Sequence, residues 1–143
     1  MNTPNPPPQQ LTPLTIFVAC PGDCAIERGI VDDVAKELEQ LANHHGHTLK
    51  VRNWTQVLPN VGRPQQVILD QIPVGSWDIL VCVLWLRFGT KSGGTNAITG
   101  LPAESGTEEE FALALEASKL NGRPRILFYR NRPATPCGVR DAR

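Results

Sequence analysis

The sequence predicts an open, parallel α/β sheet in strand order 2-1-3-4 with helices on both faces. Two observations carry this. Strand-like and helix-like segments alternate β-α-β-α-β-α-β along the chain, and the strongest strand is apolar on both of its sides. Alternation implies right-handed crossovers between parallel strands. A strand that is apolar on both sides needs helices above and below it. At 143 residues the chain fits one domain with a core of its own.

Met1 to Pro13 holds five prolines among polar residues and reads as a flexible leader, so the domain is expected over residues 14–130. Leu14 to Cys20 reads as a short buried strand, ending at the turn Pro21-Gly22-Asp23, where Asp23 is placed to cap a helix. Apolar residues then recur at Ile26, Ile30, Val31, Val34, Leu38 and Leu41, one face of a helix that Gly46 closes. Thr48 to Trp54 alternates weakly as a second strand, and Val57 to Pro64 is a loop. Gln65 to Ile72 is a short helix stopped by Pro73 and Gly75. Trp77 to Leu86 is the strand that is apolar on both faces. Lys91 to Gly106 is rich in Gly, Ser, Thr and Asn without apolar anchors, so weak order is expected there. Thr107 to Leu120 is a helix with Phe111, Ala114, Leu115 and Ala117 inward, and Arg125 to Tyr129 is the fourth strand. Residues 131–143 read as a tail or the start of a linker to a further region, since a sheet of this kind commonly has a fifth strand.

Lysine plus arginine equals aspartate plus glutamate, for a formal net charge of zero. Nucleic-acid binders usually carry a basic excess, so no nucleic-acid partner is expected. No apolar run approaches the ~18 residues that suggest a membrane span, and the first ten residues lack the plan of a signal peptide. The four cysteines form no framework: Cys20 and Cys24 are four apart, Cys82 lies in an apolar run and Cys137 in a proline-rich stretch. Reduced thiols in the cytoplasm are the expectation. His44, His45 and His47 have no cysteine or carboxylate at a matching spacing, so no metal is assigned. Gly89-Thr-Lys91-Ser92 lacks the glycine that a P-loop requires directly before its lysine.

In an open parallel sheet, ligands sit beyond the carboxyl ends of the strands. Those ends are Cys20 to Asp23, Trp54-Thr55 and Leu86 to Gly89, and the start of the third helix, Thr107 to Glu110, belongs to the same rim. Gly106-Thr107-x-x-Glu110 has two readings. One is a capping box, with Thr107 and Glu110 satisfying each other's backbone. The other is a carboxylate that stabilises an oxocarbenium-like sugar cation, as cleavage of a glycosidic bond requires. Arg87 is either a bidentate anchor for phosphate, with Gly89 allowing close backbone approach, or a solvated charge at a strand end. Trp54 either stacks on a base or belongs to the core.

Three stretches taken together resemble a known family. Ile16-Phe-Val-Ala-Cys-Pro-Gly-Asp23 followed by Glu27-Arg28 is similar to the opening of TIR-like domains that precede NACHT- and STAND-type NTPases, although Ala19-Cys20-Pro21 replaces their usual serines. Asp78-Ile-Leu-Val to Leu86-Arg87-Phe88-Gly89 resembles their central strand and its Arg-aromatic-Gly end. Thr107-Glu108-x-Glu110-Phe111 resembles their helix start, and Leu58-Pro-Asn-Val-Gly62 the self-association loop of TIR domains. The stretch around Glu110 is also similar to the nucleophile helix of nucleoside deoxyribosyltransferases.

The resemblance implies a flavodoxin-like, TIR-like fold and hydrolysis of NAD at the nicotinamide-ribose bond once copies assemble. It implies a catalytic role for Glu110, with Glu108 in reserve. Cys20, Asp23, Trp54, Arg87, Phe88, Gly89 and Thr107 would line the NAD site. NAD is then a substrate, with no cofactor, metal or membrane. The implied setting is cytoplasmic signal transduction or antiviral defence, with self-association and an NTPase region in the same full-length chain. Two alternatives stand beside it: a non-catalytic adaptor associating through Asn60-Val-Gly62, and a deoxyribosyltransferase-like enzyme.

Overall fold

A computed structural model describes residues 10–84 and 91–130. Trp85 and Leu86 at the end of the expected third strand, Arg87, Phe88 and Gly89 after it, and the tail with Cys137 lie outside the described residues. The elements in chain order are β1 (Thr12–Ala19), α1 (Ala25–His44), β2 (His47–Arg52), α2 (Pro64–Gln71), β3 (Ile79–Leu84), α3 (Gly106–Asn121) and β4 (Arg125–Arg130). The four strands form one sheet in the order β2-β1-β3-β4, and every pairing is parallel. This is the expected α/β open sheet. β1 begins two residues earlier than the proline content suggests, with Thr12 opposite His47 and Pro13 opposite Thr48.

Alternate residues of the central strands feed two cores, as a strand's period of two dictates. Phe17, Ala19, Leu80, Cys82 and Leu84 face α2 and α3 and pack with Ile72, Trp77 and Ala114. Phe17 and Trp77 stack with ring centroids 3.9 Å apart, and the Trp77 indole donates to the Ile72 carbonyl at 3.1 Å. Ile16, Val18, Cys20, Val81 and Val83 face the other way and meet Cys24, just before α1, and Ala35 within it. Helices therefore lie on both faces of the sheet.

α1 ends as the sequence predicts, with Gly46 in a left-handed conformation at φ +80°. Its start differs: Cys24 occupies the N-cap without a side-chain cap bond, and Asp23 sits in the preceding turn, where its carboxylate accepts from the Cys24 thiol at 3.8 Å. The larger difference is on the apolar stripe. Val31 and Ala35 reach the core, whereas Ile30, Val34, Leu38 and Leu41 remain 54%, 45%, 47% and 56% exposed. No helix among the described residues is long and apolar enough to cross a membrane.

Candidate functional site

The rim at the carboxyl ends of the strands is built from the start of α3, the start of α2 and the segment 91–105 that leads into α3. α3 begins at Gly106 with Ser105 as its N-cap, the Ser105 hydroxyl accepting from the Glu108 backbone at 3.1 Å. The cap is thus Ser105, two residues before Thr107, whose Thr107-x-x-Glu110 frame fits the capping-box pattern. Glu108 turns back to accept from the Glu104 backbone at 2.9 Å and from the Asn96 amide at 2.7 Å. Its carboxylate therefore clamps the segment before the helix. Ser105→Ala is expected to cost about 1 kcal/mol in denaturant titrations, as loss of an N-cap does.

The segment from Lys91 to Gly106, expected to be weakly ordered, is tied down instead. Asn96 and Leu101 pair through their backbones at 2.8 Å, as do Ala103 and Gly94 at 2.9 Å. The Asn96 side chain also accepts from Ile98 and Thr99. Polar residues replace apolar anchors here: the segment is held by hydrogen bonds among its own residues and to Arg63, Glu108 and Glu109.

With the cap supplied by Ser105 and Glu108, Glu109 and Glu110 are released to point inward. Both are buried, at 5% and 3% exposure. Glu109 forms a bidentate pair with Arg63, both N–O distances being 2.7 Å, and accepts from the Ser92 hydroxyl at 2.7 Å. Burial raises the Glu109 carboxyl, but Arg63 and Ser92 outweigh it and hold the group below its ordinary range. Gly94 is required beside this pair, because a Cβ there would overlap the Glu109 carboxylate.

Glu110 has a different environment. Its Oε1 accepts from the Gln65 amide at 2.8 Å, and no cation pairs with it among the described residues. Burial pushes its carboxyl up to about 8; Gln65 opposes the rise and Glu109 adds to it. Gln65 is itself 6% exposed, and a Cβ at Gly106 would overlap its amide oxygen. Burial pushes the Cys82 thiol up to about 12 and raises Cys20, and the charge of Glu110 acts in the same direction on both. These cysteines are neutral thiols at physiological pH, poorly suited to be nucleophiles.

On the other side of the rim, Cys20 is buried at 3% exposure and takes a 3.4 Å contact from Arg28. Arg28 also donates to the Pro21 carbonyl at 3.4 Å and lies 5.3 Å from the centroid of the Trp54 ring. Trp54 is not a core residue: it opens a short 3-10 turn after β2 and is 39% exposed. Thr107 lines a cleft of about 290 Å³ with Cys82, Leu84, Glu108, Phe111 and Phe128.

The structure therefore pairs Glu110 with Gln65, and sets Trp54 and Cys20 with Arg28 at the strand ends. Glu108 is directed away, to the 96–104 segment. Sequence reasoning missed Arg63, Gln65 and Ser105 as rim residues. Only Ser105 carries a local signal, its spacing to Glu108. Comparison with protein-family profiles, characterised proteins and solved structures found no match.

Proposed function

We propose that the chain cleaves an N-glycosidic bond, that of NAD between nicotinamide and ribose, with Glu110 as the carboxylate that faces the ribosyl cation. One observation carries the reading: Glu110 is a buried acid at the ligand edge of the sheet, not engaged in capping, with a carboxyl raised to about 8. A strongly perturbed acid at such a position is a functional candidate on physical grounds.

The chemistry follows from the charge. Nicotinamide in NAD is a pyridinium, and a positive charge within ~4–6 Å lowers a carboxyl by about 1–3 units. Arrival of the substrate would therefore ionise Glu110 and release its proton. The C1′–N bond then breaks with its electrons on nicotinamide, which leaves neutral, and the carboxylate faces the oxocarbenium ion left behind. Water adds to C1′ and loses a proton, giving ADP-ribose. The Gln65 amide holds Oε1 and so orients the carboxylate through the reaction. In this reading the domain is the effector part of a signalling or defence protein, working when copies assemble.

The test is nicotinamide release from NAD by the full chain, at concentrations high enough for copies to associate. Glu110→Gln keeps the size and removes the charge, and is expected to lower turnover by at least ~100-fold. Undiminished turnover in this variant sinks the assignment. Release of free base from a deoxynucleoside, with no nicotinamide from NAD, would move the substrate to the deoxyribosyltransferase class. A second reading, self-association without catalysis, draws on the 57–63 loop, where Leu58 and Val61 are 73% and 97% exposed. It would be favoured by a wild-type chain that assembles and releases no nicotinamide.

A further inference from the structure

Among the described residues, the sheet face that carries α1 is only partly covered. Beside α1 runs a groove of about 670 Å³, walled by Ile30, Val34 and Leu38, floored by Val81 and Val83, and bounded by Leu127 and Tyr129 of β4. Leu127 and Tyr129 are 46% and 56% exposed. Parallel sheets keep both faces covered, and a contiguous apolar surface of this kind marks an interaction site.

We propose that this groove is a docking site for an amphipathic α-helix lying alongside α1, with a basic flank towards α1 and an acidic flank towards β4. The shape argues for a helix: the groove follows α1 from Glu27 to Leu38, about three turns, and its wall is a ridge at helical spacing into which a second helix can interdigitate. The charges define the flanks. Asp33 and Glu37 stand three residues after Ile30 and Val34, so they border the wall of the groove, and both are exposed. Lys36 pairs with Asp33 at 3.6 Å from farther round the helix, which leaves Glu37 as the stronger acidic contact. β4 presents Arg125, on the strand face of Leu127 and Tyr129, and Arg130, which lines the end of the groove; both are exposed.

The same charges argue against a second copy as the occupant. Its α1 can turn Asp33 and Glu37 towards β4, but it offers no basic flank to the Asp33 and Glu37 that border the groove. Residues 1–9 and 131–143 are interrupted by prolines, so their sequences do not make a helix of this kind.

The experiment uses the full chain and labelled synthetic helical peptides of about 20 residues, beyond the length at which isolated helices are marginal. Each carries leucine on one face. One has lysine on one flank and glutamate on the other, a second has glutamate on both flanks, and a third has lysine on both. The mixed peptide is expected to bind at least ~10-fold more tightly than the glutamate peptide. The double variant Arg125→Glu/Arg130→Glu should shift the preference towards the lysine peptide. Val34→Asp and Leu127→Asp alter half-exposed positions, so the variants should fold, as circular dichroism would verify, and lose binding by at least ~10-fold. Equal binding of the mixed and glutamate peptides, or retained binding in the two aspartate variants, overturns the proposal. So does a wild-type dimer in sedimentation that Val34→Asp converts to monomer, since the groove's occupant is then a second copy.

Discussion

Arg63→Met is expected to destabilise the protein by about 3 kcal/mol at neutral pH, the low end of what breaking a buried ion pair costs. The low end applies because the Arg63 side chain is 27% exposed, while that of Glu109 is 6% exposed. Methionine keeps the aliphatic stem but leaves the Glu109 carboxylate buried with, among the described residues, only Ser92 donating to it. Arg63 also donates to the Ser92 carbonyl at 3.2 Å, so its loss loosens the segment before α3 as well. The pH dependence has a definite sign. In the native protein the Glu109 carboxyl lies below its unfolded value, so the pair stabilises above the ordinary carboxyl range and that contribution is lost as pH falls through the depressed folded value. In the variant, burial without the guanidinium raises the carboxyl, so the unpaired acid protonates on mild acidification. The gap between wild type and variant in urea titrations should therefore be widest near pH 7 and shrink towards pH 4. A constant gap over that range would mean that the lost stability is packing and not charge.

The parts of this rim that sequence reasoning can reach are those encoded locally. Strand order follows from alternation and from the run Ile79 to Leu84, which has a parallel neighbour on each side. Gly46 follows from its place after an apolar repeat. Ser105 and Thr107 each stand three residues before a glutamate, so the capping frame is ambiguous by two residues, and only burial of Glu110 decides it. Arg63 and Gln65 are different in kind. Their partners lie 46 and 45 positions away, and no periodicity records a contact over such a separation. Gly94 and Gly106 hold the trace of these contacts, since their missing Cβ atoms make room for Glu109 and Gln65. A glycine shows that something approaches without showing what. The α1 stripe is the converse case: helical spacing locates its apolar residues but does not tell whether the protein's own core covers them.

Glu110→Gln is expected to stabilise the protein as pH rises while it removes turnover. The folded carboxyl is raised to about 8, whereas an unfolded glutamate titrates near ~4.3. Between these values the folded protein holds a proton that the unfolded chain has released, so the wild type loses stability with rising pH, by up to about 1.4 kcal/mol per unit. Below the unfolded value both states are protonated and the term vanishes; above about 8 the penalty is fully developed. Glutamine is neutral throughout and retains a carbonyl to accept from Gln65, so the variant should match the wild type at pH 4 and exceed it increasingly from pH 5 to pH 8. Urea titrations at intervals over that range would measure the divergence, and parallel curves would remove Glu110 as an ionising group of the folded state. The two readouts divide the possibilities. Divergence together with lost nicotinamide release marks a carboxyl kept at a cost to stability because the reaction needs it, the usual exchange at an active site. Divergence with turnover unchanged makes Glu110 a buried acid of the fold, and the scaffold reading then stands ahead of catalysis.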